Sequence, residues 1–316
     1  MKICYLKIKK ISLLIGIFFC IFIIICSSIY QYILLSSNVE DLFKEIKIFS
    51  MKETLDEIIF NNRSISRFGD GEFNLIYRNE NPFQEYNKNL CKKLKFILKS
   101  KEEGILIGIN FPYKKYQLDR YVDNVKQFFI SYINNNKYKI YKLLRKYKKY
   151  YSSAITRFYI DFKNKTVVPD YIKKLKKIWD KRDIIIIEGE MSRLGIGNDL
   201  FNNSKSIKRI ICPSQNAFNV YNKIIKKVIK KIDKKNLILL ALGPTASVLA
   251  FDLYKLGFQA IDVGHIDIEY EWFLRNASQK LQIENKYVAE VNGQNYNFTK
   301  VKDNNYYKQI ILEILK

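Results

Sequence analysis

The sequence predicts an α/β fold: a Rossmann-like, mostly parallel sheet flanked by helices, preceded by one N-terminal transmembrane helix. Three observations predict it. Apolar runs of strand length recur over 184–187, 209–212, 237–242 and 260–263. From 209 on, stretches with helical periodicity separate them, and strands alternating with helices give right-handed βαβ units and a parallel sheet. Finally, no charged residue occurs from Ile11 to Val39, long enough to cross a bilayer, which takes about 20 apolar residues.

In chain order, a basic flank over 1–10 holds Lys2, Lys7, Lys9 and Lys10, followed by a membrane anchor over 11–35 and a short stem over 36–50. The lysines before the span favour a cytosolic N-terminus, which would put the remaining chain across the membrane, but long domains translocate with little regard to their own charge, so the side of the remaining chain stays open. From Met51 to Lys316 no Gly-, Ser- or Pro-rich linker divides the chain, so one domain is expected. Leu55, Ile58 and Ile59 repeat at helical spacing over 51–61, and 64–68 reads as a strand ending at Gly69. A helix begins at Glu72, and Leu90, Leu94, Ile97 and Leu98 mark another before a strand over 105–109. The span 117–151 reads as helical and basic. Ser214 is placed to cap a helix that carries Phe218, Tyr221, Ile224, Ile225, Val228 and Ile232 on one face. Pro244 suits a first helical turn and Gly257 a C-terminal stop.

Composition bounds the partners. Of 316 residues, 48% are hydrophobic, enough for a sizeable core. Lys and Arg exceed Asp and Glu by 55 to 31, a net charge of +24 that suits an anionic partner or a membrane face. The lysines are spread along the chain, and the densest cluster, 137–151, is equally a solvated helix face, so no specific nucleic-acid partner is expected. The five cysteines form no C-x-x-C pair, which leaves no zinc knuckle or redox motif.

Four strand exits carry chemistry, and in parallel sheets ligands bind beyond the carboxyl ends of the strands. Arg67-Phe68-Gly69-Asp70-Gly71-Glu72 places two carboxylates two residues apart beside glycines that permit a tight turn. The pair could hold a hard cation, Mn²⁺ or Mg²⁺, with Arg67 on a phosphate; the alternative is a turn whose acids cap the next helix. The run 188–199 mixes glycines with Glu190, Ser192, Arg193, Asn198 and Asp199, unusually polar for the exit of a buried strand. Gly243-Pro244-Thr245 opens a helix whose free N–H groups suit an anion, although it is neither a P-loop nor G-x-G-x-x-G. His265, the only histidine, alternates with Asp267 and Glu269, so in extended backbone the three would face one way, a plausible divalent-metal set.

Taken together and in this order, the strings R-F-G-D-G-E, G-E-M-S-R-L-G-I-G-N-D and G-H-I-D-I-E-Y-E-W closely resemble the glycosyltransferase family with the GT-D fold, over roughly 51–273. Supporting stretches are Phe83-Gln84 with Tyr86-Asn87, Thr156-Arg157-Phe158-Tyr159, and 209–217, with Phe158 departing from an expected proline. The resemblance implies a GT-D domain over 51–316 that transfers a hexose from a UDP-sugar to a glycan or glycoconjugate acceptor. It implies a metal held by a D-x-E pair, either Asp70/Glu72 or Asp267/Glu269. It makes Arg67, Gly69, Gly71, Glu190, Ser192, Arg193, Asn198, Asp199, Gly243, Pro244 and Thr245 the candidate donor-binding residues. Asp70, Glu72, His265, Asp267 and Glu269 are then the candidate catalytic groups. The competing readings are another Rossmann-like nucleotide-dependent transferase and a membrane-tethered polyanion-binding protein without catalysis.

Overall fold

The computed structural model describes residues 14–29, 36–79, 81–288, 290–291 and 301–315. A nine-stranded sheet forms its centre, in the order β1-β4-β3-β2-β8-β7-β5-β6-β9. The strands are β1 (Lys47–Ile48), β2 (Ser64–Phe68), β3 (Ile105–Ile109), β4 (Lys149–Ser152), β5 (Asp183–Gly189), β6 (Ser206–Cys212), β7 (Leu237–Ala241), β8 (Gln259–Asp262) and β9 (Ile310–Glu313). Every pairing between them is parallel.

The helices follow in order. They are α1 over 14–29, α2 (Val39–Phe43), α3 (Met51–Phe60), α4 (Asp70–Ile76), α5 (Lys88–Lys99), α6 (Lys115–Leu118), α7 (Asp123–Leu143), α8 (Val168–Lys176), α9 (Tyr221–Lys231), α10 (Pro244–Lys255), α11 (Ile266–Leu274) and α12 (Asn304–Gln309). Strands buried on both faces explain the unbroken apolar runs of β5 and β7. Ile185, Ile187, Ile238 and Leu240 join one hydrophobic cluster, and Ile184, Ile186, Leu237 and Leu239 the other. Successive side chains point to opposite faces of a strand, so each run serves both layers.

Caps set the boundaries before the first acidic motif. Ser50 and Glu53 form a capping box at the start of α3. At α4 the Gly69 N–H donates to Glu72 Oε2 at 2.8 Å, which satisfies one of the orphan donors of that helix.

The structure moves two expected boundaries and adds an edge strand. The stem over 36–50 belongs to the folded body. Leu42, Phe43 and Ile46 are buried, Tyr113 donates to the Ile46 carbonyl at 2.6 Å, and β1 pairs with β4. The basic stretch expected to be helical through Tyr151 leaves the helix at Leu143 and ends as β4, because Tyr150 is fully buried beneath it. The edge strand β9 pairs with β6.

Of the anchor expected over 11–35, the part over 14–29 is helical and exposed along its length; 11–13 and 30–35 lie outside the described residues. Among the described residues no helix is long and apolar enough to cross a membrane.

Candidate active site

The chain runs from β2 towards β3 on one side and reaches β8 from β7 on the other. A crevice at the carboxyl end of such a switch point is where open α/β sheets take ligands. Here a cleft of about 620 Å³ spans the carboxyl ends of β3, β2, β8, β7 and β5. Of the expected residues, Arg67, Gly69, Asp70, Gly71, Glu72, Ser192, Gly243, Pro244, His265 and Asp267 line it. Glu190, Arg193, Asn198, Asp199, Thr245 and Glu269 are not in its wall.

Asp70 opens α4 at the exit of β2. Among the described residues its carboxylate makes no hydrogen bond or ion pair, although every other acid of the four motifs within the wall is engaged. Glu72 lies beside it and spends Oε2 on the Gly69 N–H. Burial pushes the Glu72 carboxyl up to about 7, against the pull of that N–H, and the charge of Asp262 adds to the rise. Glu72 thus caps the helix, while Asp70 lines the cleft.

Arg67 spends four of its five N–H donors within the chain. Its Nε donates to the Asp262 carbonyl at 2.7 Å, Nη1 to the Ser153 carbonyl at 2.9 Å and to Thr156 Oγ1 at 2.6 Å, and Nη2 to Asp262 Oδ1 at 3.1 Å. It ties the ends of β2, β4 and β8 together. Gly264 makes room for it, since a Cβ there would lie 2.0 Å from Arg67 Nη2 at a φ of +42°.

The second D-x-E pair does not behave as an alternating strand. His265 caps α11, and Asp267 and Glu269 occupy its first turns. Two residues along a helix turn the side chain by roughly 200°, for Asp267 and Glu269 as for Asp70 and Glu72 at the start of α4, so the two pairs differ in the partners their carboxylates meet. Asp267 accepts from the Gly195 N–H and Asn198 Nδ2, each at 2.8 Å, and pairs with Lys286 Nζ at 2.7 Å. Glu269 is fully buried and accepts from the Tyr159 and Ile160 N–H groups at 2.9 and 3.1 Å. Burial raises its carboxyl to about 7, with the Arg157 charge opposing.

The glycine-rich run is largely a clamp. Asn198 Nδ2 also reaches Glu271 Oε1 at 2.7 Å, and Asp199 accepts from the Tyr270 hydroxyl at 2.6 Å and pairs with Lys176 at 2.9 Å. Arg193 Nη1 donates to the Asn285 carbonyl at 3.0 Å. Glu190 is exposed. Gly189 and Ser192 remain on the cleft. A Cβ on Gly189 would approach Ser214 Cα at 3.0 Å. Gly243, with φ +50°, turns β7 into α10 against Phe83, so Gly243 and Pro244 present the helix start to the cleft. Thr245 is buried, with Oγ1 3.4 Å from Gln84 Oε1.

His265 sits at the cleft floor with Nε2 3.1 Å from Glu290 Oε2. Burial drives its imidazole down to about 4 despite Glu290, so the ring is uncharged at neutral pH. Glu290 also pairs with Arg157.

Sequence reasoning missed Asp161, Lys280, Glu290 and Tyr287, all in the wall. It also missed Phe111, Phe128 and Tyr132, although Phe111 follows β3 as the four motifs follow β2, β5, β7 and β8.

Comparison with known proteins agrees with this geometry. The family described as "Glycosyltransferase GT-D fold" matches residues 65–291. A probable glycosyl transferase of Streptococcus gordonii is 38% identical over 250 residues, covering 79% of this chain and 36% of that protein. The glycosyltransferase GlyD of Streptococcus pneumoniae serotype 4 is 37% identical over 285 residues, 85% of this chain and 33% of its own. The chain thus spans about a third of the length of these two relatives. A solved structure of domain of unknown function 1792, described as having a distinct glycosyltransferase fold, superposes with a TM-score of 0.81. It is 38% identical and is covered over 99% of its length by 88% of this chain. A second, described as a new glycosyltransferase from Streptococcus sanguinis, gives 0.78 at 36% identity, over 85% of this chain and 99% of that one. By sequence and by superposition, the chain belongs to the glycosyltransferase family with the GT-D fold.

Proposed function

We propose that this chain is a hexosyltransferase that moves a hexose from a UDP-linked donor to a glycan or glycoconjugate acceptor, with Mn²⁺ or Mg²⁺ held at Asp70 and Glu72. The observation that carries the reading is the uncommitted carboxylate of Asp70 at the switch point, beside a second acid in the same cleft.

The donor set fits such an ion at one D-x-E pair and not the other. Asp70 has its oxygens available, and Glu72 retains Oε1 after capping Gly69. Asp267 is neutralised by Lys286 and Glu269 turns away. Among the described residues no three His, Cys, Asp or Glu side chains converge on one point, so water and diphosphate oxygens would complete the shell, as suits a hard cation. When bound, the ion supplies positive charge against the negative charge that builds on the departing diphosphate.

The residues of the chain do the rest. Gly189, Ser192 and the Gly243–Pro244 turn form a wall of backbone and hydroxyl groups on the β5–β7 side, where a diphosphate can approach closely. The Arg67–Asp262 pair holds β2 and β8 in register beneath it. An uncharged His265 facing Glu290 is a weak base and a fixed polar surface, which argues for an orienting role. The exposed apolar helix over 14–29 supports attachment to a membrane.

Isothermal titration of the chain with UDP tests the proposal. Binding should strengthen at least tenfold, about 1.4 kcal/mol, when Mn²⁺ is present, and donor hydrolysis should stop in EDTA and return with metal. Equal UDP affinity and full turnover in EDTA would exclude it.

A further inference from the structure

On the β3 side of Asp70 the cleft has a wall of a different kind. Phe128 and Tyr132 lie one turn apart on α7 and so share a face. Their rings stack at 5.7 Å and 23°, and Tyr132 stacks on Phe111 at 6.2 Å and 4°. The three form a stair that rises from buried Phe111 to Phe128, which is 46% exposed. The Tyr132 hydroxyl reaches Asn74 Oδ1 at 3.2 Å and the Asp70 carbonyl at 3.4 Å, so the stair is fastened to the turn that carries the free carboxylate. Asn110 and Asn124 border it, and none of the α7 residues in the wall is charged.

We propose that this stair is the acceptor subsite, and that it takes a neutral pyranose ring stacked on Phe128 with its hydroxyls directed to Asn110 and Asn124. The assignment rests on the transferase reading above and goes beyond it by placing the acceptor. Three features select that ligand. An exposed aromatic face offers its negative π surface to the C–H face of a sugar, as it does to other weakly positive edges. Amide side chains both donate and accept, which matches hydroxyl groups, and the absence of charge disfavours an anion. The stair also lies across the acid corner from the Gly189–Gly243 wall. In strand order, β3 and β2 are separated from β7 and β5 by β8. A donor whose diphosphate lies on the glycine wall leaves the stair for the second substrate, and the reacting carbon falls between them near Asp70.

Saturation-transfer NMR on the full chain loaded with UDP and Mn²⁺ tests this directly, using methyl β-D-glucopyranoside, methyl β-D-galactopyranoside and N-acetylglucosamine as probes. At least one should receive saturation on the ring protons of a single face. Phe128→Ala should reduce that transfer by about fivefold or more, and Phe128→Trp should retain it, while UDP affinity stays within about twofold of the parent. Phe128 is half exposed, so the alanine variant is expected to keep the parent's thermal midpoint, which is measured alongside. No transfer to any probe, or transfer unchanged in Phe128→Ala, overturns the assignment. A fall in UDP affinity with saccharide contact unchanged also overturns it and gives the stair to the nucleobase. The two proposals fail separately: loss of metal-dependent UDP binding in the parent chain sinks the donor reading, whereas the saccharide signal reports on the stair alone.

Discussion

Lys286 Nζ lies 2.7 Å from Asp267 Oδ2 and 3.1 Å from Glu271 Oε1, with all three side chains nearly buried. This contact neutralises Asp267, whereas no described residue pairs with the Asp70 carboxylate, and the difference lets experiment separate the two D-x-E motifs. Asp70→Asn should cut turnover at least roughly tenfold, about 1.4 kcal/mol of barrier. Its stability should stay within about 0.5 kcal/mol, because no partner is lost. Asp267→Asn should instead lower stability by on the order of 2–3 kcal/mol. That is less than the ~3–5 of a stranded buried charge, because Glu271 still neutralises Lys286. Urea denaturation and donor hydrolysis on both variants check the contrast; wild-type turnover in Asp70→Asn would leave that acid without a catalytic role.

Removal of the N-terminal segment should be tolerated only up to the folded body. A chain starting at Ser36 retains α2 and β1 and should unfold at nearly the parent's midpoint. A chain starting at Met51 loses the buried Leu42, Phe43 and Ile46, worth roughly 1.5–3 kcal/mol each. It also uncovers the edge of β4. Thermal melts of the two truncations would decide it, and equal midpoints would restore the stem reading.

Acid should weaken the fold through His265. Its imidazole titrates at about 4 when folded, against 6.5 for an unburied ring. The unfolded chain therefore takes up the proton first as pH falls. The stability that the neutral ring contributes is complete above pH 6.5 and is lost progressively towards pH 4. Glu269, raised to about 7, works the other way over 4.5 to 7, so the comparison must be made with a variant. His265→Asn should lose roughly 1–3 kcal/mol of pH-dependent stability between pH 7 and pH 4 relative to the parent. Parallel stability curves for the two chains would show that the ring is not held neutral.

Gly264 should not accept a side chain. Alanine there combines a φ of +42° with a Cβ 2.0 Å from Arg67 Nη2, so the guanidinium must leave Asp262 or the turn must open. Breaking that nearly buried pair is expected to cost about 3 kcal/mol or more and to reduce UDP binding through displacement of the β2 and β8 ends. Denaturation and titration would check it; a neutral Gly264→Ala would mean that the clamp has slack.

The sequence by itself determined the central fold and the position of the cleft. Strands β3 and β7, the helix start at Pro244 and the two glycine-rich exits were legible because doubly buried strands need unbroken apolar runs and tight turns need glycine. It also determined that Asp70 and Glu72 stand at a strand exit. The strands β1 and β9 were not legible, because two to four residues at a sheet edge carry no periodicity. Only the tertiary structure distinguished the acidic pairs. Asp70-Gly71-Glu72 and Asp267-Ile268-Glu269 have the same local pattern, but Lys286, 19 residues downstream of Asp267, folds back to neutralise it, while no described residue pairs with the Asp70 carboxylate. The same reason ties Arg67 into the scaffold: four of its five N–H donors go to Asp262, Ser153 and Thr156, which the chain brings together from the ends of β8 and β4. Charge in a motif is local, whereas its compensation comes from residues distant in sequence and is fixed only when the sheet assembles.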